Sequence, residues 1–206
     1  MAGILDTKGV ALMIFFGAVL LFYGGISYLA LMLIFFLLAM AATKYEYEIK
    51  KEMGLYEHQR GWENVLSNGL LPAILTVISP ILGPVPFIAS IAAVTADKFA
   101  SEIGVLNPGD PISLFTFKAV KPGTSGAMSV LGTVGSLAGS AAIGFCGMFV
   151  FGLNPTQALI ITIAGFLGCV ADTMFGVLEE RGIGTKGTTN FICSLVGALI
   201  AFYLIR

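Results

Sequence analysis

Two aspartates, Asp97 and Asp172, stand inside long apolar runs of the sequence. Counting along helices that begin at Pro86 and Pro155 places them about 16 Å and about 26 Å along those helices, within a hydrocarbon core of about 30 Å. A charged side chain at that depth costs at least ~2.5–3.5 kcal/mol on insertion scales, so such residues are functional candidates. Glu102 follows one turn beyond Asp97. Because Mg²⁺ is usually held by one or two carboxylates together with substrate phosphates, Asp97, Glu102 and Asp172 are candidate metal ligands.

The alternative interpretation of these acids is structural. A buried ion pair, for example of Asp97 with a lysine, would stabilise helix packing without any chemistry.

A glycine-flanked turn follows two lysines in residues 118–126 and offers a site for phosphate. Ammonium groups, hydroxyls and the backbone N–H groups that open a helix all bind anions. A second turn of this kind, residues 184–190, opens the last predicted helix on the same face. Neither matches a Walker A sequence, so simple turns with interfacial lysines remain the alternative.

Glycines recur at helical spacing in two of the predicted helices, a pattern typical of closely packed transmembrane helices. They are Gly132, Gly135 and Gly139 in one helix and Gly165, Gly168 and Gly176 in the other. Close packing would bring the helix of Asp172 and the turn at Gly123 together around one cavity.

The composition indicates what positions these residues. Hydrophobic types make up 57% of the 206 residues and charged types only 11%, with a mean hydropathy of +0.93, which excludes a water-soluble globule. The chain is predicted to be one all-α transmembrane bundle, residues 1–206, of about seven spans. The predicted helices are 9–23, 26–43, 66–82, 86–103, 126–152, 155–178 and 189–205.

Charge sets the predicted orientation. Nine of the eleven lysines and arginines fall at the N-terminus or in the three longer connections, about 44–65, 104–125 and 179–188, and a tenth, Lys98, lies shortly before the second connection. By the positive-inside rule these connections and the N-terminus are cytoplasmic. Residues 44–68 are predicted to be mostly a solvated helix, with Glu46 and Lys50 forming a favourable pair four residues apart.

A formal net charge of −1 gives no electrostatic support for nucleic-acid binding. The three cysteines lack the spacing of a zinc site. No Arg-rich leader precedes the first apolar run, which favours a microbial plasma membrane over an organelle.

Five ordered motifs resemble those of an integral membrane family that includes the plant chloroplast phytyl-phosphate kinase and multispan animal and archaeal relatives. The resemblance covers about three quarters of the chain. The motifs are Arg60 with Asn-Val-Leu-Ser-Asn-Gly at 64–69, Asp-Lys-Phe-Ala-Ser-Glu-Ile-Gly at 97–104, Lys-Pro-Gly-Thr-Ser-Gly-Ala-Met-Ser at 121–129, Gly-Phe-Leu-Gly-Cys-Val-Ala-Asp-Thr at 165–173 and Asn-Phe-Ile-Cys-Ser-Leu at 190–195.

The resemblance implies a kinase that transfers a phosphoryl group from a nucleoside triphosphate, with CTP favoured, to an isoprenoid monophosphate such as phytyl or geranylgeranyl phosphate. On this hypothesis Asp97, Glu102 and Asp172 serve Mg²⁺ and catalysis together with Lys121. Nucleotide and phosphate binding is assigned to Arg60, Asn68, Lys118, Pro122, Gly123, Thr124, Ser125, Gly126, Ser129, Lys186 and Asn190. Departures from the family pattern at Lys98, Ser125, Ala127 and Cys169 leave the nucleotide and the acceptor open.

Two other functions fit the same residues. A cytidylyltransferase that makes a CDP-lipid would need the same acids and lysines. An ion-coupled transporter would use the two intramembrane acids as an ion path, although the turns at the opposite end carry no charge.

Overall fold

The computed structural model describes residues 6–54 and 61–205, and these form a helical bundle with one short hairpin. The helices are α1 (Thr7–Val19), continued by a π-helical turn (Leu20–Gly24), α2 (Ile26–Lys44), α3 (Tyr47–Glu52), α4 (Trp62–Val77), α5 (Ser79–Leu82), α6 (Val85–Gly104), α7 (Val130–Phe151), α8 (Pro155–Glu179) and α9 (Lys186–Ile205). The strands β1 (Ile112–Ser113) and β2 (Ala127–Met128) pair antiparallel.

The fold is that of an all-α membrane protein, as predicted. Within the described residues, five segments are long and apolar enough to cross a bilayer: α1 with its π-helical turn, α2, α7, α8 and α9. The predicted number of seven is not confirmed, because α4 has only 16 residues and α6 carries three charged side chains in its last two turns.

Helix α6 lies at the centre of the bundle. Its residues Pro86 to Ala96 are all buried, and it packs against α2, α4, α7, α8 and α9. The glycines of α7 allow this close approach, since a Cβ at Gly139 would lie 2.9 Å from the carbonyl oxygen of Thr95. The central helix therefore carries its polar last turns into the middle of one end of the bundle.

The two ends of the bundle differ in the way that the charge distribution predicts. Tight turns with positive φ at Gly25, Gly83 and Gly152 join the helices at one end. The longer connections, with α3 and the hairpin, lie at the other end, where Asp6 at the start of α1 accepts a hydrogen bond from the Trp62 backbone at the start of α4. The described charged residues thus gather at one end.

Several helix bounds differ from the prediction. The helix expected at 126–152 begins at Val130, because residues 127–128 pair with β1 and the Ser129 side chain caps the helix. The helix expected at 66–82 begins at Trp62 and is broken into α4 and α5. The last helix begins three residues earlier than predicted, at Lys186.

The solvated helix predicted for most of residues 44–68 is present in part. Within this segment α3 spans Tyr47–Glu52 and α4 begins at Trp62, while residues 55–60 lie outside the described residues. The predicted pairing of Lys50 with Glu46 is wrong, and Lys50 is only 1% exposed. Its ammonium group pairs with Glu102 of α6 rather than with Glu46. A tertiary ion pair has replaced the local pairing that the spacing suggested.

Candidate functional site

A cavity of about 470 Å³ opens at the charged end of the bundle, among the polar ends of α4, α6, α7, α8 and α9. Both intramembrane aspartates and both glycine-flanked segments contribute to its walls. The polar residues that line it include Asn64, Asn68, Asp97, Lys98, Glu102, Thr124, Ser125, Ser129, Asp172, Thr173, Glu179, Lys186 and Asn190. The predicted meeting of the Asp172 helix and the Gly123 turn around one cavity is confirmed.

Lys186, the first residue of α9, bridges the two aspartates of the cavity. Its Nζ lies 3.0 Å from Asp172 Oδ2 and 3.6 Å from Asp97 Oδ1. The two carboxylates come from different helices, α8 and α6, and are almost wholly buried, whereas the lysine side chain is 48% exposed. The site therefore holds two carboxylates on either side of one partly exposed ammonium group.

Three side-chain oxygens of residues that line this cavity are buried without a hydrogen-bond partner among the described residues. They are Glu179 Oε2, Asp172 Oδ1 and Asn190 Oδ1, the last two on residues only 5% and 4% exposed. The amide nitrogen of Asn190 lies 3.5 Å from Ser67 Oγ, so it is the oxygen that remains unpaired. Buried acceptors of this kind are costly, and they mark a place where a cation or a donor belongs.

Glu102 belongs to a different cluster from the two aspartates. Its carboxylate accepts hydrogen bonds from Lys50 Nζ at 3.0 Å and Thr43 Oγ1 at 2.8 Å, and Lys98 Nζ lies 2.8 Å away. Among the described residues, no group of three or more His, Cys, Asp or Glu side chains is arranged to hold a metal. The three predicted metal ligands are thus separated into a pair of aspartates and a lysine-bound Glu102.

The turn at residues 123–126 packs directly on α8. A Cβ at Gly126 would lie 2.7 Å from the Val177 backbone nitrogen, and one at Gly176 would lie 2.7 Å from the Gly126 nitrogen. The Ser125 backbone N–H also donates to Glu180 Oε1 at 2.9 Å. These contacts hold the turn at the cavity wall, against the same helix that carries Asp172.

The other predicted residues fall into three groups. Asn68, Pro122, Gly123, Thr124 and Ser129 line the cavity together with the residues described above, although the Ser129 hydroxyl caps α7 by accepting from the Gly132 N–H. Lys118 and Lys121 are exposed and do not line it. Arg60 lies outside the described residues.

Two charged residues of the cavity wall were missed by sequence reasoning. Lys98 follows Asp97 directly and was treated only as a departure from the family pattern. Glu179 stands seven residues after Asp172, a spacing that places both on one face of α8, and this spacing could have revealed it. Among the described residues, the cations that line the cavity are therefore Lys98 and Lys186 rather than Lys118 and Lys121.

The fold and the cavity define a polytopic helical membrane protein with an acidic and cationic site at the charged end of its bundle. The chain belongs to the family described as integral membrane protein DUF92, whose model matches residues 1–199. This match extends to the N-terminal helices, beyond the three quarters of the chain covered by the motifs.

Curated relatives agree with this assignment. The chain is 38% identical over 200 residues to a membrane protein of Methanocaldococcus jannaschii, covering 95% of this chain and 84% of that protein. It is 28% identical to protein PGR of Arabidopsis thaliana, covering 82% and 73%, and 25% identical to the chloroplast protein VTE6 of the same plant, covering 88% and 59%. No solved structure matches the chain.

Proposed function

We propose that this protein is a membrane phosphotransferase that moves the γ-phosphoryl group of a nucleoside triphosphate, with CTP favoured, to an isoprenoid monophosphate. The observation that carries the proposal is the convergence of Asp97, Asp172 and Lys186 in one cavity, beside a glycine-rich turn fixed on α8. Family membership supports the reaction class, because the family resembled by the motifs includes the plant phytyl-phosphate kinase.

The proposed reaction requires little covalent chemistry from the protein itself. A phosphate oxygen of the acceptor attacks the γ-phosphorus of the nucleotide, the bond from that phosphorus to the bridging oxygen breaks, and the nucleoside diphosphate leaves. Since the attacking oxygen is already anionic, no base is required. Such a transfer depends on positioning and on neutralisation of charge, and the cavity offers carboxylates, ammonium groups and backbone N–H groups for both.

The aspartates fit Mg²⁺ better than they fit any softer metal. Hard divalent cations prefer carboxylate and carbonyl oxygens, and the cavity presents two carboxylates and an unpaired amide oxygen. Bound Mg²⁺ would neutralise phosphate charge. Lys98 and Lys186 would then contact phosphate oxygens as point charges, and the Gly123 N–H and the Ser125 hydroxyl would donate to them.

The cavity also extends toward the membrane interior, which suits a lipid acceptor. Phe35 of α2 and Val94 of α6 contribute apolar side chains to its lining. Phe35 stands nine residues before the end of α2, about 13 Å along that helix. An isoprenoid tail would lie among these helices while its phosphate reaches Asp97 at the polar end.

The positive-inside distribution supports a cytoplasmic position for the site, where soluble nucleotide is available.

Purified protein in detergent, incubated with Mg²⁺, geranylgeranyl monophosphate and γ-labelled CTP, ATP or GTP in parallel, tests the proposal. The expected result is label in the lipid fraction with at least one nucleotide and none with the Asp172→Asn variant. A correctly folded protein that transfers no label from any nucleotide, to phytyl or geranylgeranyl phosphate, would contradict it.

A further inference from the structure

The position of Lys186 carries a second inference, about what the aspartate pair binds. We infer that the Lys186 ammonium occupies the place of a divalent cation, and that Mg²⁺ exchanges with it on a site built from Asp97, Asp172 and the Asn190 side-chain oxygen. The inference deepens the proposed function by naming its metal ligands and its resting counter-ion.

Three observations support the exchange. The ammonium group lies within 3.6 Å of oxygens from both aspartates, so it offsets one of their two negative charges in the absence of metal. One oxygen of Asp172 and the oxygen of Asn190 nevertheless stay buried and unpaired among the described residues. The ammonium hydrogen-bonds to neither of these oxygens, whereas a cation with six or more oxygen ligands would draw on both.

The placement of Lys186 makes its departure easy. It is the first residue of α9, and its side chain is 48% exposed, so the ammonium has access to solvent. Asn190 stands four residues later on the same face of α9, so the helix that supplies the counter-ion also supplies a metal ligand. Metal binding would thereby release one positive charge into the cavity, where phosphate groups are proposed to bind.

Glu102 is left out of this ligand set. Its carboxylate is already shared by Lys50, Lys98 and Thr43, and withdrawing it from three donors would leave a 1% exposed lysine without its anion. Of the three predicted metal ligands, the exchange therefore uses two, with Asn190 in place of Glu102.

Binding of Mn²⁺, followed by the loss of the free-ion electron paramagnetic resonance signal, tests the inference without any substrate. Full-length protein in detergent is titrated with Mn²⁺ alone and then competed with Mg²⁺. Because Lys186 competes with the metal, Lys186→Gln is expected to bind Mn²⁺ about tenfold more tightly than the parent. Asn190→Leu is expected to weaken binding about tenfold, and Asp172→Asn to abolish it.

A matched variant and a second readout complete the test. Lys51→Gln removes an equal charge from an exposed position of α3 and should leave Mn²⁺ affinity unchanged. Without metal, the unfolding temperature of Lys186→Gln should be lower than that of the parent, since two buried carboxylates then face each other. Addition of Mg²⁺ should restore the unfolding temperature. Unchanged or weaker Mn²⁺ binding by folded Lys186→Gln would overturn the exchange. Tight Mn²⁺ binding by a protein that transfers no phosphoryl group would instead contradict only the proposed function.

Discussion

Lys50 Nζ lies 3.0 Å from Glu102 Oε2, and this ion pair ties the short helix α3 to the end of the central helix α6. The same ammonium group donates to the carbonyl oxygens of Ala42 and Thr43 at 2.9 Å each. Since α2 ends at Lys44, these are carbonyls of its last turn, which have no partner within the helix. One buried lysine therefore joins three helices beside the cavity.

Replacing Lys50 by methionine should destabilise the protein by about 3 kcal/mol, because the carbonyl oxygens of Ala42 and Thr43 lose a buried donor and Glu102 loses one of its cations. Thermal unfolding in detergent measures the effect. Lys51→Met, an exposed neighbour, should change stability by less than about 0.5 kcal/mol. Equal unfolding temperatures for the two variants would show that the buried pair contributes nothing.

The contact between Gly126 and α8 provides a test of the glycine-rich turn. Gly126→Ala would push a Cβ to 2.6 Å from Val177 Cγ2, and it would also strain a residue with φ of +75°. We expect the turn to leave its place on α8 and the KM for nucleotide to rise by about tenfold or more, since the turn residues that line the cavity would no longer face the phosphates.

Gly182→Ala is the matched control for that variant. Gly182 has φ of +77° and no atom within 4 Å of a Cβ, so its replacement carries the same backbone strain, about 1–2 kcal/mol, without the collision. The difference between the two variants isolates the packing contact. Equal KM values would mean that the position of the turn is irrelevant to nucleotide binding.

Lys118 and Lys121, which the motifs assigned to phosphate charge and catalysis, are exposed outside the cavity wall. In this position they would attract nucleotide through solvent rather than contact it during transfer. The double variant Lys118→Gln/Lys121→Gln should lower kcat/KM by about tenfold at low ionic strength, with the effect fading as salt is raised. Steady-state kinetics across a salt series checks this. A large loss of kcat that persists at high salt would instead show that these lysines contact the nucleotide during transfer.

Much of the site could be predicted from the sequence because its parts lie in continuous motifs. Apolar runs interrupted by single acids located Asp97 and Asp172, and glycine spacing predicted that α8 and the turn at residues 123–126 pack together. These signals depend on residues that are close together in the chain, so the sequence alone reveals them.

The Glu102 cluster and the role of Lys186 could not be predicted in the same way. Lys50 and Glu102 are 52 residues apart, and the local spacing favoured Glu46 as the lysine's partner. Lys186 is paired with the two aspartates only because α6, α8 and α9 bring their polar ends together. Tertiary packing decided both pairings, and no sequence period encodes it.

Asp172→Asn tests the aspartate pair at the level of activity. The change keeps the size of the side chain but removes the charge that faces Lys186, so turnover should fall at least about 10²-fold with the fold retained. Asp110→Asn, at an exposed position in the connection after α6, is the matched control and should retain activity. Undiminished turnover by Asp172→Asn would remove this residue from the metal site.

The most direct test of the reaction follows two labels into the lipid. Purified protein is incubated with Mg²⁺, an isoprenoid monophosphate and CTP labelled separately at the α- and γ-phosphates. Phosphoryl transfer predicts γ label in the lipid product and no α label. Label from the α-phosphate in the lipid would identify a cytidylyltransferase and contradict the kinase. If neither label moves, and labelled ATP and GTP also transfer nothing, the phosphotransferase is wrong, and uptake of ions or substrate into proteoliposomes becomes the experiment of choice.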